Sequence, residues 1–305
     1  MKSVAIVGSG ALGLYYGARL ARSGREVSFL ARGDLSALRE RGATISYPGT
    51  RYTLHPVRAC VSPEDIGPVD LVVIGLKATA NDALARLLPP LIGPDTAVLN
   101  LQNGLGVDEQ VAAVVGAERT LGGLCFVCVN RVGPGEAECT LPGYIALGEF
   151  TGGPTARTHA VAEVFSAAGV KMQVAPSLLS ARWHKLVWNV PFNGLSVAEG
   201  GLTTDAILAD PAREARVWAL MREVQAIAAA EGVRIADEFV ADQVHKTRPM
   251  GPYKPSTLLD YLAGRPLELE PIWGEPLRRA RRHGVDAPEL TRLHAELLTR
   301  NPVCG

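Results

Sequence analysis

The stretch Val4-Ala5-Ile6-Val7-Gly8-Ser9-Gly10-Ala11-Leu12-Gly13 decides the fold of the N-terminal half of this chain. Its first four residues form a short apolar run, which is typical of a buried parallel strand. Apolar residues then recur at helical spacing over residues 12–20, and Gly24 is placed to end that helix. Residues 26–31 resemble a second strand. The stretch therefore predicts a strand–turn–helix–strand unit of the α/β class, with a Rossmann-type doubly wound sheet.

The turn itself matches Gly-x-Gly-x-x-Gly. The motif indicates dinucleotide binding only when it lies between a strand and a helix, as it does here. Gly8 allows a tight turn, Gly10 lets the backbone approach a pyrophosphate, and Gly13 lets the helix pack closely on the strand. The helix N-terminus offers N–H groups and a partial positive charge to an anion. A purely structural glycine turn is the alternative. We expect a dinucleotide to bind at Gly8, Ser9, Gly10, Ala11, Leu12 and Gly13.

The residue at the end of the second strand indicates which dinucleotide binds. An acidic residue there contacts the ribose hydroxyls of NAD, whereas an arginine suits the 2′-phosphate of NADP. Arg32 holds this place, so we predict NADPH/NADP as the cofactor. Asp34 lies two residues later and leaves the NAD alternative open.

The composition is that of a globular chain with a small-molecule partner. The 305 residues are 47% hydrophobic and 20% charged, which suits two folded domains. The 31 basic and 31 acidic residues cancel, which removes the electrostatic case for nucleic acid as a main partner. No apolar run reaches about 18 residues and no secretory signal pattern opens the chain. We therefore expect no membrane span and a cytoplasmic location.

The cysteines do not resemble a disulfide framework, because their number is odd and the chain is long. They are Cys60, Cys125, Cys128, Cys139 and Cys304. Cys125 and Cys128 form a C-x-x-C within a strand-like run. Residues three apart on a strand point to opposite faces. We therefore expect no metal site there.

Further apolar runs predict more strands of the same sheet. They cover residues 45–47, 52–57, 70–75, 97–101, 122–130, 144–147 and 171–174, with a helix over 155–168. In an open α/β sheet, ligands bind beyond the carboxyl ends of strands. Lys77 and Asn103 each follow such a strand, so both are candidate site residues. The alternatives are a solvated charge for Lys77 and a turn residue for Asn103.

The pattern changes after Pro176 and becomes helical. We expect residues 1–177 to form the dinucleotide-binding domain and residues 178–305 to form an all-α substrate and catalytic domain. A long Ala-rich helix is predicted over residues 212–232.

The helix predicted over residues 181–193 carries a polar stripe. At about 100° per residue, Asn189 lies about 40° and Asn193 about 80° around the helix from Lys185. The opposite side is apolar, so the stripe suits a site for a polar ligand. In the alternative, Lys185 lies at the surface and the asparagines satisfy backbone groups. His184 lies off the stripe, and we expect a boundary residue there.

A second polar cluster lies downstream. Ser256 precedes a helical run and is typical of an N-cap, with Asp260 just inside the helix. Glu268, taken alone, would be interpreted as a surface carboxylate.

Together these motifs resemble the ketopantoate reductase (2-dehydropantoate 2-reductase) family. The resemblance spans almost the whole chain and is carried by the glycine turn, Leu76-Lys77, Leu101-Gln102-Asn103-Gly104, the lysine helix at 183–189, and residues 256–274 and 283–288. It implies NADPH-dependent reduction of ketopantoate to (R)-pantoate, on the route to pantothenate and coenzyme A.

The resemblance also implies roles for individual residues. Lys185 corresponds to the catalytic lysine, which would act as general acid, and Glu268 to a carboxylate at the cofactor and active site. Arg32 and Lys77 correspond to cofactor contacts, and Cys128 to a neighbour of the nicotinamide. The implied substrate-binding positions are Asn103, Lys185, Asn189, Asn193 and Ser256, with Asn103 also near the cofactor.

Two alternatives stay open. The family usually has a further substrate-binding asparagine in a glycine-containing loop, where this chain has Gly-Gly-Leu-Thr-Thr-Asp at residues 200–205. Because of this departure, one alternative is that the chain is a related NADPH reductase that acts on another 2-oxo acid. The other alternative is a catalytically silent NADP-binding protein. A small 2-oxo acid is the expected partner, and the sequence leaves a homodimer open.

Overall fold

The short apolar strands predicted from the sequence assemble into one sheet. In the computed structural model, which describes residues 1–301, this sheet has ten strands. They are β1 (Ser3–Val7), β2 (Glu26–Leu30), β3 (Ala43–Tyr47), β4 (Thr50–Leu54), β5 (Arg58–Cys60), β6 (Val69–Ile74), β7 (Ile92–Asn100), β8 (Thr120–Gly133), β9 (Glu136–Glu149) and β10 (Lys171–Val174).

Six parallel strands run in the order β5-β2-β1-β6-β7-β8, the order of the doubly wound dinucleotide-binding fold. At the centre of β1, Val4, Ala5, Ile6 and Val7 have no solvent exposure. A central parallel strand is covered on both faces, so its sequence is continuously apolar rather than alternating. The Rossmann-type sheet predicted from residues 4–31 is confirmed.

The remaining strands extend the sheet beyond β8. β9 pairs antiparallel with β8, and β3 and β10 both pair parallel with β9. β8 and β9 are longer than the predicted strands 122–130 and 144–147, because the two pair with each other from Leu121 to Gly133. β4 ends at Leu54, so the predicted strand 52–57 was too long. Pro56 lacks the N–H that would continue the ladder.

Five helices belong to the same part of the chain. They are α1 (Ala11–Arg22), α2 (Leu35–Arg41), α3 (Leu84–Leu87), α4 (Val107–Val115) and α5 (Ala156–Ala167). On α1, Tyr16 and Leu20 are four residues apart, and both are fully buried in one cluster with Ile6 and Phe29 of the sheet. The helical spacing in the sequence therefore reflects one face that packs on the sheet.

The chain divides into two compact units. The first comprises Met1–Gln102 and Val107–Leu178, and the second comprises Asn103–Gly106 together with the chain from Leu179 onward. Among the described residues of the second unit the regular elements are helical, as predicted. They are α6 (Leu178–Ala198), α7 (Thr204–Leu208), α8 (Pro211–Ala230), α9 (Asp237–Thr247), α10 (Ser256–Leu262), α11 (Glu275–His283) and α12 (Pro288–Arg300), with a π-helical turn at Glu270–Gly274.

The lysine helix α6 lies in the core of the second unit. Its Trp183 and Phe192 are fully buried, as is Trp273 of the π-helical turn. α6 is longer than the predicted helix 181–193 and continues through Pro191. Within residues 1–301, every helix is too short or too polar to cross a lipid bilayer.

Candidate functional site

The glycine turn between β1 and α1 leaves no room for side chains at two positions. Gly8 has a φ of +102°, and a Cβ there would lie 2.9 Å from the backbone nitrogen of Leu76. A Cβ at Gly13 would lie 1.9 Å from the carbonyl oxygen of Gly8. The start of α1 and the chain that follows β6 are therefore packed backbone against backbone, which only glycine permits.

Gly10 differs because the space beside it is open. The nearest atom to a Cβ built there is the carbonyl oxygen of Gly75, at 3.7 Å. Gly10 is also the N-cap of α1, so no capping side chain competes for the N–H groups of the first helical turn. The turn thus fits the pyrophosphate of a dinucleotide in both space and charge.

The two charged residues after β2 have different environments. Asp34 is 4% exposed, and both of its carboxylate oxygens accept hydrogen bonds from Arg131 of β8. The hydrogen bond with Asp34 raises the pKa of the Arg131 guanidinium above its usual value. Arg32 is exposed. The carboxylate that favours NAD is therefore engaged by an arginine about a hundred residues away, a partner that the sequence did not indicate.

Lys77 lies at the carboxyl edge of the first unit's sheet. It is exposed and lies two residues after Gly75. The N–H of Gly75 donates to the carbonyl of Val7 at 2.9 Å, which joins this segment to the end of β1. Lys77 is therefore the third residue after β6, at the edge at which ligands bind in this fold class.

Cys128 lies on β8, where the pairing with β9 is irregular on both sides of it. It is partly exposed. Cys60, Cys125, Cys128 and Cys139 are free thiols. Within residues 1–301, no three histidine, cysteine or acidic side chains group as metal ligands. Cys304 lies outside the described residues.

Lys185 and Asn103 meet in the second unit. The Nζ atom of Lys185 donates a hydrogen bond of 2.8 Å to Oδ1 of Asn103, and both residues are half-buried. An ammonium group has three N–H donors, and Asn103 accepts from one of them. Because the amide is neutral, it orients the ammonium without neutralising it. Such an amine can stabilise an oxygen that gains negative charge.

The asparagines of the polar stripe are buried. Asn189 is 7% exposed and Asn193 is 2% exposed. Oδ1 of Asn193 accepts the backbone N–H of Thr257 at 3.0 Å and the hydroxyl of Ser256 at 3.3 Å. Asn193 therefore supplies the acceptor for the N-terminus of α10. The sequence left open that the asparagines satisfy backbone groups, and the Oδ1 atom of Asn193 does so for the N–H of Thr257.

Ser256 is not the N-cap, so that expectation was wrong. Pro255 occupies the cap position, and Ser256 is the exposed first residue of α10. Proline has no capping side chain, which explains why Asn193 takes over this role from another helix. Asp260, within α10, pairs instead with Arg265 at 2.9 Å.

Glu268 is 6% exposed, so its interpretation as a surface carboxylate was wrong. It lies between Leu267 and Leu269, which are both buried. A buried carboxylate requires polar or charged partners, so the burial marks Glu268 as a candidate site residue. His184 is half-buried, and its ring packs edge-on against Phe239 at a centroid distance of 4.8 Å, as expected of a boundary residue.

Comparison with known proteins connects both units to one family. Residues 4–152 match the model described as "Ketopantoate reductase PanE/ApbA", and residues 177–301 match "Ketopantoate reductase PanE/ApbA C terminal". The chain is 40% identical over 301 residues to a 2-dehydropantoate 2-reductase of Nostoc sp., covering 97% of this chain and 94% of that protein.

Solved structures agree with this assignment. The crystal structure of 2-dehydropantoate 2-reductase from Geobacter metallireducens is 43% identical, with a TM-score of 0.94 and coverage of 97% of this chain and 99% of that one. A ternary structure of D-mandelate dehydrogenase with NADH and anilino(oxo)acetate has a TM-score of 0.90 at 23% identity, covering 98% and 97%. At that identity the likeness shows the shared fold alone.

The capping role of Asn193 can be tested through stability. We expect Asn193→Ala to lower the free energy of unfolding by about 1–3 kcal/mol, because it leaves a buried backbone N–H without its acceptor. Asn193→Asp keeps an acceptor, places a negative charge at a helix N-terminus, and should retain most of the stability. Urea unfolding followed by circular dichroism measures both variants. Equal stability of Asn193→Ala and the wild type would contradict the role.

Proposed function

The chain belongs to the ketopantoate reductase family, and from this premise we propose that it reduces 2-dehydropantoate to (R)-pantoate with NADPH, using Lys185 as general acid. It is an oxidoreductase of this family, with a nicotinamide cofactor and a small-molecule substrate. The observation that supports the assignment of Lys185 is its 2.8 Å hydrogen bond to Asn103. A cytoplasmic location and a homodimer stay expectations.

The chemistry requires an acid at the keto oxygen of the substrate. NADPH, when bound, supplies the hydride that reduces the 2-oxo carbon. Negative charge then develops on the oxygen, where the ammonium of Lys185 would donate a hydrogen bond and finally a proton. Asn103 would orient that amine while leaving its positive charge intact.

Substrate carboxylate and hydroxyl groups require further partners. We assign this role to Ser256 and to the side chains of Asn189 and Asn193. Oδ1 of Asn193 already accepts from α10, so its amide nitrogen is the group suited to meet a carboxylate. Glu268 would accept a hydrogen bond from the substrate hydroxyl or orient Lys185.

The first unit would hold the cofactor. The glycine turn at residues 8–13 would bind the pyrophosphate at the N-terminus of α1. Arg32 and Lys77 would contact the 2′-phosphate end and the rest of the cofactor, with Cys128 beside the nicotinamide. The engagement of Asp34 by Arg131 supports NADPH over NADH, because a carboxylate already bound by an arginine is poorly suited to bind ribose hydroxyls.

An assay of NADPH oxidation with a panel of 2-oxo acids tests the proposed activity. We expect the highest kcat/KM with 2-dehydropantoate. A higher value with another branched or bulky 2-oxo acid would replace the proposed substrate. Tight NADPH binding without oxidation by any oxo acid would favour the silent NADP-binding protein.

Removal of the proposed acid tests the mechanism. We expect Lys185→Ala to lower kcat by about 10²–10⁴-fold, the usual contribution of a positioned acid. Its dissociation constant for NADPH, measured by fluorescence titration, should stay close to that of the wild type. The control is Lys246→Ala, which removes an exposed lysine of α9 in the same unit. Turnover of Lys185→Ala at the wild-type rate would exclude Lys185 from the mechanism.

Cofactor preference tests Arg32. We expect Arg32→Ala to raise the KM for NADPH by at least about 10-fold while changing the KM for NADH little, because only NADPH carries the 2′-phosphate. Arg41→Ala, at an exposed arginine of the same unit, is the control for net charge. A similar change of KM for both cofactors would argue against the phosphate contact.

A further inference from the structure

We propose that the π-helical turn Glu270–Gly274 is a positioning element that holds Asn103 against Lys185. This inference rests on the proposed function, because it assigns a support to the proposed acid. All the residues involved belong to the second unit. The turn contacts the two segments that carry the partners of the hydrogen bond, the loop after Asn103 through Pro271 and helix α6 after Lys185 through Trp273.

On the loop side, the turn contacts the backbone next to Asn103. The carbonyl of Pro271 accepts the N–H of Leu105 at 2.8 Å. Gly104 has a φ of +87°, and a Cβ there would lie 2.3 Å from the same carbonyl oxygen. The loop that carries Asn103 therefore rests directly on Pro271, with no intervening side chain that could adjust.

On the helix side, the turn contacts the backbone of α6 beyond Lys185. The indole N–H of Trp273 donates to the carbonyl of Val190 at 3.0 Å, and Trp273 is fully buried. A Cβ at Gly194 would lie 3.0 Å from that indole nitrogen and 2.6 Å from Leu293. The helix therefore approaches the indole so closely that only glycine fits at position 194.

A second support reaches α6 from the other side of Lys185. The indole N–H of Trp183 donates to Glu231 at 3.0 Å, and Arg279 binds both Glu231 at 2.9 Å and Glu275 at 2.8 Å. Burial acts to raise the pKa of Glu275, but hydrogen bonds from Arg279 and Arg278 outweigh it, and the pKa lies below its usual value. Glu275 is the first residue of α11 and directly follows the turn.

The consequence is a hydrogen bond between two segments that are each held in place by close contacts. Lys185 lies between two anchored positions of one helix, and Asn103 lies beside two backbone groups that contact Pro271. A displacement of about 1 Å would take Nζ and Oδ1 out of hydrogen-bond range. π-Helical turns are rare, and those that occur often lie at functional sites. In this chain, the contacts of the turn with the Asn103 loop and with α6 give a physical reason for its place.

The test combines Gly104→Ala with Lys185→Ala in a double-mutant cycle. Gly104→Ala forces the loop away from Pro271, and we expect kcat to fall by about 10²-fold, with little change in the affinity for NADPH. In the Lys185→Ala background the same substitution should cause no further loss, because the effect acts through the amine. A loss of equal size in both backgrounds, or wild-type kcat in folded Gly104→Ala, would overturn the proposal.

Two further variants complete the design. Gly284→Ala is the control, since Gly284 also has a positive φ, of +65°, but open space around it; its kcat should equal that of the wild type. Trp273→Phe removes the indole N–H and keeps a buried ring, and should lower kcat by about 3- to 10-fold only when Lys185 is present. If Gly104→Ala does not fold, this variant decides the question.

Failure of the proposed function gives a different result. If Lys185 is not the acid, the single variant Lys185→Ala retains the kcat of the wild type, and the proposed function fails at that step. If Lys185 is the acid and the turn does not position it, Lys185→Ala loses activity while folded Gly104→Ala and Trp273→Phe retain it.

Discussion

The first unit depends on the close approach of three glycine backbones. A Cβ at Gly13 would lie 1.9 Å from the carbonyl oxygen of Gly8, and one at Gly75 would lie 3.1 Å from the Cα of Gly13. This contact places the start of α1 directly on the ends of β1 and β6. The anion-binding geometry of the turn depends on this contact, because a side chain at either contact position would separate the helix from the sheet.

In the second unit, a neutral amide helps to orient a cation, through the 2.8 Å hydrogen bond from Lys185 to Asn103. The amide of Asn103 gives the ammonium group a fixed direction and adds no opposing charge of its own. This hydrogen bond joins two segments distant in sequence, so it needs the surrounding structure to hold both side chains in place. The buried indoles and the π-helical turn meet that need.

Electrostatic pairing at the first unit changes what the charged residues after β2 can do. Arg32 and Asp34 carry opposite indications in the sequence, one for NADP and one for NAD. Arg131 binds both carboxylate oxygens of Asp34, and this pairing supports the proposed preference for NADPH. The same pairing places no demand on Arg32, which is exposed. Family membership by itself does not separate NADPH from NADH as the cofactor. The ion pair between Arg131 and Asp34 is a property of this particular chain that bears on the choice.

The sequence by itself determined the Rossmann-type sheet, the helical character of the second unit, the position of the glycine turn and the polar stripe around Lys185. These features depend on local periodicity and on residues close together in the chain. Only the tertiary structure decided that Asn193 caps α10, that Glu268 is buried, that Asp34 pairs with Arg131 and that Asn103 meets Lys185. Each of these contacts joins residues or packing surfaces distant in sequence, and no local pattern encodes which distant group will fill a given space.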